Sequence, residues 1–148
     1  MLWDLITYLD DATKEFIESK GGLKAIVISH PHYYTTHLTW GQVFDCPVYL
    51  AAEDNQWLAR KDIGDTRHFI EGASQEIVDG VNAIKVGGHF PGSLVLLHKE
   101  RLYIADSLVT VPSAMYHKDR LAGTTSYSFM WSIPVSYTHL TLPTTPYV

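Results

Sequence analysis

The chain has 148 residues, of which 46% are hydrophobic and 12% aromatic, a composition typical of one globular domain rather than a disordered segment. Its 16 acidic and 11 basic residues give a net charge of −5 without any lysine or arginine cluster, which argues against nucleic acid or an anionic membrane as a partner. Cys46 is the only cysteine, so an internal disulfide is excluded, and the absence of a long apolar run or a signal-like N-terminus predicts a cytoplasmic protein.

The first half of the chain alternates between helical and strand patterns. Asp10 or Asp11 is a suitable N-cap for the first helix, and Gly21-Gly22 marks its end. The following apolar run is rich in β-branched residues, which predicts a strand buried on both faces. The predicted elements are, in order, a helix at 12–20, a strand at 23–29, a helix at 38–44, a strand at 46–52 and a helical turn or two at 53–61. This alternation favours an α/β architecture with some parallel strand pairing.

From Arg67 onward the pattern is one of short strands separated by glycine or charged turns. The segment 98–101, "HKER", lies between two apolar runs and predicts a hairpin connection. The second half is therefore expected to be a β-meander, and the whole chain a sheet-rich α/β domain with helices packed on an outer face.

Histidines and one aspartate occupy positions where metal ligands commonly lie. His30 and His32 follow the first apolar strand, and an i, i+2 pair on extended backbone points to one side of the chain. His89 stands in a glycine-rich turn, "VGGHFPGS", and Asp106 ends the run "RLYIAD". A catalytic zinc site needs a third ligand in addition to such a pair, and His89 is the best candidate. Taken singly, each residue also has a structural interpretation, such as a turn former or a helix cap.

The order of these motifs resembles that of the metallo-β-lactamase superfamily. A strand ending in H-x-H, a G-H-x-P-G-S turn and a strand ending in A-D-S follow one another between about Leu2 and Asp106, and Asp4 matches an aspartate that commonly ends an early strand. The resemblance implies an αββα-type α/β fold, a two-sheet β-sandwich flanked by helices, that is incomplete at both ends of this chain. It also implies that His30, His32 and His89 bind the first metal and that Asp106 bridges or supports the metal site.

The chain departs from the family pattern at the second metal site. Tyr34 and Thr35 stand where the family's motif continues with aspartate and histidine, so this site is expected to be absent or rebuilt. One zinc ion is therefore predicted rather than two, with iron or manganese as alternatives. His37 is interpreted either as a substitute ligand or as a surface or helix-start residue. Asp54 is interpreted as a helix N-cap or as a residue entering the site.

The resemblance implies a metal-dependent hydrolase acting on a small ester, thioester or lactone. Three neutral imidazoles leave a bound metal its full charge, and Asp106 is expected to act as a ligand or as the general base. The alternative hypothesis is a non-catalytic relative that binds a metal or small ligand, or an inactive fragment, since half of the binuclear motif is missing.

The last fourteen residues, 135–148, differ in composition from the rest of the chain. The string "VSYTHLTLPTT" contains no charged residue and resembles a translated sequencing adapter. We therefore expect a partial domain at 1–134 followed by a non-native tail, with no counterpart assigned to the family's final histidine. His117 is predicted to be exposed.

Overall fold

The computed structural model describes residues 1–111 and 126–129, and this part of the chain forms β-sheets with two α-helices, which confirms the predicted α/β class. The helices are α1 Asp11–Ser19 and α2 His37–Val43, with 3₁₀ helices at Pro31–Tyr33 and Ala52–Trp57. The strands are β1 Leu2–Trp3, β2 Ile26–Val27, β3 Val48–Ala51, β4 Arg67–Ile70, β5 Ser74–Val78, β6 Val81–Lys85, β7 Leu94–His98, β8 Arg101–Tyr103, β9 Leu108–Val111 and β10 Ser126–Phe129.

Two four-stranded sheets differ in their pairing. The first is parallel, in the order β1-β2-β3-β4, and the second is an antiparallel meander, β5-β6-β7-β8. Strands β9 and β10 form a separate antiparallel pair. The meander predicted from Arg67 onward is thus wrong for its first segment, because Arg67–Ile70 pairs in parallel with β3. It is confirmed for the strands from Ser74 to Tyr103.

The core lies on both faces of the parallel sheet. Ile26 and Ile28 pack with Trp40 of α2 on one face, whereas Val27 packs with residues of the second sheet such as Leu94 on the other. Successive side chains of a strand point to opposite faces, so a run of apolar residues without alternation is what a doubly covered strand requires. This confirms the interpretation of β2 as buried on both faces.

The element boundaries differ slightly from the predicted ones. Asp10 is the N-cap of α1, and its side chain accepts a hydrogen bond from the Thr13 amide at 2.7 Å. The strand predicted at 23–29 is shorter, because the Ser29 amide donates to the side chain of Asp4 at 2.7 Å instead of continuing the ladder. Cys46 is buried in the core, as expected for a lone cysteine.

No helix within 1–111 and 126–129 is long and apolar enough to cross a membrane. The tail 135–148 and His117 lie outside the described residues.

Candidate metal centre

His30 follows β2 directly and is held in one orientation. Its backbone is extended, and its side chain is 2% exposed. The ring Nδ1 lies 2.8 Å from the Ser29 hydroxyl oxygen, while Nε2 is buried and makes no hydrogen bond with the described part of the chain. Burial lowers the pKa of His30 to about 4, so the imidazole is neutral at neutral pH. A neutral imidazole whose Nε2 is not engaged in a hydrogen bond is the form that binds a metal ion.

His32 reaches the same place by a different local structure from the predicted one. The H-x-H pair was expected on extended backbone, but His32 lies inside the 3₁₀ helix that starts at Pro31. Proline favours this geometry because its fixed φ suits the first helical position and its missing amide is not needed there. The His32 ring is exposed and lies 5.0 Å from the His30 ring, measured between centroids.

His89 is positioned by the turn that precedes β7. Gly87 and Gly88 adopt positive φ angles of 65° and 90°, a region that glycine enters without steric cost. His89 is buried, its Nε2 lies 3.3 Å from Nδ1 of His32, and its ring centroid lies 4.8 Å from that of His30. Burial lowers the pKa of His89 as well. The turn therefore brings a histidine from the second sheet against the pair that follows β2.

Asp106 completes the cluster from the loop between β8 and β9. Strand β8 ends at Tyr103, so Asp106 lies beyond the strand end at which the sequence placed it. Its Oδ2 lies 3.4 Å from His30 Nε2 and 3.8 Å from His89 Nε2, and its side chain is 34% exposed. The ligand atoms of His30, His32, His89 and Asp106 all lie within 4.8 Å of one another. The structure thus brings together all four residues that the sequence singled out.

Sequence reasoning missed Ser29 and Phe90, which contact this cluster, and it named Asp4 only as a match to the family pattern. If His30 binds through Nε2, its Nδ1 carries the proton and donates to Ser29, a contact of the kind that fixes tautomer and ring orientation. Asp4 in turn accepts from the Ser29 amide, and burial raises the pKa of this carboxyl. Phe90 stacks on His30 with 5.6 Å between ring centroids. The position of Ser29 immediately before His30 was the only available signal for its role.

Tyr34 and His37, which the sequence analysis considered in connection with a second metal site, make other contacts in the structure. Tyr34 is buried in the core beside Leu50, and burial raises the pKa of its phenol. His37 begins α2 and is buried, not exposed, with Nδ1 against the Tyr34 carbonyl oxygen. Its Nε2 accepts a hydrogen bond from Nε of Arg67 at 2.8 Å. Among the described residues, His37 is not part of the metal-ligating cluster.

The N-cap interpretation of Asp54 is wrong. The 3₁₀ helix begins at Ala52 with Ala51 in the cap position, and Asp54 lies within it. Its carboxyl is completely buried and faces Gly92 instead of its own helix. Acidic residues directly after a strand, such as Glu53 and Asp54, are typical of a helix N-cap in sequence. Only the packing of the turn that carries His89 against Asp54 shows that this residue has another role.

The donor set fits a metal of the zinc type. Three imidazole nitrogens and one carboxylate oxygen are common zinc ligands, and they also suit iron and manganese. The buried Nε2 of His30 makes no hydrogen bond within the described residues and lies 3.4 Å from the Asp106 carboxylate oxygen, and a cation bound between them would compensate both groups.

Comparison with known proteins gives partial similarities. No known family model matches the chain. The uncharacterized protein YmaE of Bacillus subtilis (strain 168) is 40% identical over 96 residues, which make up 65% of this chain and 34% of YmaE. The chain thus spans about a third of the length of this curated relative.

Solved structures with a similar fold include a metallo-beta-lactamase from Staphylococcus aureus subsp. aureus COL, 16% identical with a TM-score of 0.49, covering 66% of this chain and 31% of that one. TTHA1623 in a di-iron-bound form is 19% identical with a TM-score of 0.49, and the match covers 68% of this chain and 58% of TTHA1623. An N-acyl homoserine lactone hydrolase with bound product is 21% identical with a TM-score of 0.42, and the match covers 57% of this chain and 38% of that one. Each similarity covers part of both proteins, and none assigns the chain to a family.

Proposed function

We propose that the chain carries the metal centre of a metallo-β-lactamase-like hydrolase, with one zinc ion held by His30, His32 and His89 and with Asp106 beside it as a further ligand or as the general base. The observation that carries this proposal is the convergence of four ligand atoms within 4.8 Å from segments of two different sheets. The order of the sequence motifs and the two-sheet α/β fold support the same assignment. Iron and manganese are the alternative metals.

The substrate we propose is a small ester, thioester or lactone. When bound, zinc supplies a Lewis acid that brings the pKa of water close to neutrality. Asp106 is the only ligand candidate that can also accept a proton as a carboxylate, and its partial exposure leaves it accessible from solvent. We assign it the role of orienting the attacking water and holding its proton.

The surrounding residues keep the imidazoles in place during this chemistry. Ser29 and Asp4 fix the His30 ring through a chain of two hydrogen bonds. Phe90 covers one face of that ring and limits the access of water to it. Preorganisation of this kind removes the need for the ligands to move when the substrate reacts.

A second candidate function is metal or ligand binding without catalysis. Tyr34 supports it, because a buried core phenol replaces the carboxylate that would hold a second metal. A binding protein and a hydrolase would share the same four ligands, so only turnover distinguishes them.

The test begins with metal content per chain after dialysis, measured by mass spectrometry for the unmodified protein, His32→Ala and His68→Ala. His32 is an exposed ligand candidate, so its loss should not unfold the protein, and His68 is an exposed histidine of β4 that serves as the matched control. We expect about one metal equivalent, lost only in His32→Ala, with unchanged circular dichroism in all three proteins. Equal metal content in both variants would contradict the site.

A panel of esters, thioesters and lactones then separates the two functions. Turnover that a chelator suppresses supports the hydrolase. A stable metal without turnover of any member of the panel supports the binding function.

A further inference from the structure

Asp54 is a buried carboxyl group outside the ligand cluster. It lies in the 3₁₀ helix after β3, and its side chain is 0% exposed. Its Oδ1 accepts one hydrogen bond, from the Gly92 amide at 3.2 Å, and its Oδ2 has no hydrogen-bond partner in the described part of the chain. Burial raises the pKa of Asp54 to about 6. A buried carboxylate with one unpaired oxygen is unfavourable for stability, so its presence calls for a role other than packing.

The contact with Gly92 joins Asp54 to the turn that carries His89. A Cβ atom on Gly92 would lie 2.5 Å from the Cβ of Ala51 and 2.7 Å from Oδ2 of Asp54. A Cβ atom essentially never lies this close to a non-bonded heavy atom, so the turn lies directly on the start of the 3₁₀ helix. Gly92 lacks a side chain where the turn approaches the start of the 3₁₀ helix, and at the other end of that helix Trp57 contacts Phe90 of the turn, with 5.8 Å between ring centroids.

Hydrogen bonds between its own residues close the turn that carries His89. The Phe90 amide donates to the Ser93 hydroxyl at 2.8 Å, and the Ser93 amide donates to the Phe90 carbonyl at 3.1 Å. The Leu94 amide donates to the Ser29 carbonyl at 2.9 Å, which ties the end of the turn to the segment before His30. Because these hydrogen bonds join Gly92 and His89 in one small turn, we expect a shift at Gly92 to move His89, three residues earlier.

We propose that Asp54 is a positioning residue for the metal centre: by accepting the Gly92 amide, it holds the turn of His89 against the parallel sheet and sets where the third imidazole lies. This inference rests on the proposed function, because it assumes that His89 is a ligand. Asp54 touches none of the four ligand candidates and acts through the backbone of the turn alone.

The experiment compares Asp54→Asn, Asp54→Leu and Asp54→Ala with the unmodified protein and with Glu53→Ala. Asparagine keeps an oxygen acceptor for the Gly92 amide, whereas leucine fills a similar volume without one. If the alanine variant does not fold, the leucine variant still tests the loss of the acceptor. Glu53 is the matched control, because it is a carboxylate of the same 3₁₀ helix that pairs with Lys85 at 2.6 Å instead of touching the turn. The readouts are zinc affinity by chelator competition and the visible absorption of the Co²⁺-substituted protein.

We expect the leucine and alanine variants to bind zinc about 10- to 100-fold more weakly, the range typical of losing a group that orients a metal ligand. Their Co²⁺ absorption should change in shape, because the third nitrogen is displaced. Asp54→Asn and Glu53→Ala should match the unmodified protein in both readouts. A role in stability alone would lower the free energy of unfolding and leave the Co²⁺ spectrum of the folded protein unchanged.

Two results would overturn the inference and leave the proposed function intact. One is unchanged affinity and spectrum in Asp54→Leu, and the other is an Asp54→Asn variant as weak as Asp54→Leu. Failure of the unmodified protein to bind zinc or cobalt would instead refute the proposed function and this inference with it.

Discussion

Replacing Asp54 by asparagine should change the pH dependence of stability: relative to the unmodified metal-free chain, the variant should gain stability as the pH rises from acid toward neutral. The carboxyl has a pKa of about 6 in the folded chain, against an ordinary value of 3.8. Between these pH values the carboxyl group keeps its proton in the folded state and loses it in the unfolded state. The free energy of unfolding therefore falls as the pH rises through this interval, and above it the contribution of Asp54 is constant. A difference of roughly two pKa units corresponds to about 3 kcal/mol.

The asparagine amide also lowers the free energy of unfolding, and this loss must be separated from the gain that comes from removing the charge. Its NH₂ group takes the place of the unpaired Oδ2, and a buried donor without an acceptor costs about 1–3 kcal/mol. This cost does not depend on pH, whereas the removal of the charge does. The quantity to compare is therefore the change, with pH, in the difference between Asp54→Asn and the unmodified chain.

Urea unfolding with a chelator present, followed by circular dichroism, measures this quantity. Between about pH 4.5 and about pH 7.5 the variant should gain about 2 kcal/mol relative to the unmodified chain. The depressed pKa of His30 gives both proteins the opposite slope, which cancels in the difference. A difference that stays constant across this range would refute the account of Asp54 as a buried, destabilising carboxylate.

Three further outcomes follow from contacts in the fold. Lys85→Met should lower the free energy of unfolding by about 1–3 kcal/mol in urea titrations without changing metal content, because Nζ loses Glu53 and the carbonyls of Ile70 and Glu71. Asp10→Ala should cost about 1 kcal/mol in the same assay, since it removes the N-cap of α1, and a similar loss from Asp11→Ala would contradict this. Zinc at about 100 times its Kd should stabilise the chain by about 2.7 kcal/mol over the chelated form, and an unchanged melting temperature would argue against a site in the folded state.

Local signals in the sequence were sufficient to predict most of the elements of the first half of the chain, and the order of the motifs was sufficient to name four residues that the fold brings together. The Asp10 cap and the apolar run before Ser29 describe interactions within a few residues, and the structure places them nearly where expected. The two-face burial of β2 could be predicted because a strand covered on one side only would show alternation.

Interactions between distant segments could not be predicted in the same way. Whether Arg67–Ile70 joins the parallel sheet or the meander depends on which partner its backbone meets, and its sequence is compatible with both. Asp54 looks like a cap until Gly92 is packed against it, thirty-eight residues away. His37 gives no sign in the sequence that its ring is bound to Arg67.

The division of the ligands between the two sheets has a kinetic consequence. His32 and His89 are separated by 57 residues, so their nitrogens meet only after the parallel sheet and the meander have docked. A metal ion bound between them would cross-link the sheets, which could then not separate until it dissociated. If this link forms after the main folding barrier, it would slow unfolding and leave the folding rate unchanged. Loss of the metal would therefore shorten the lifetime of the folded chain.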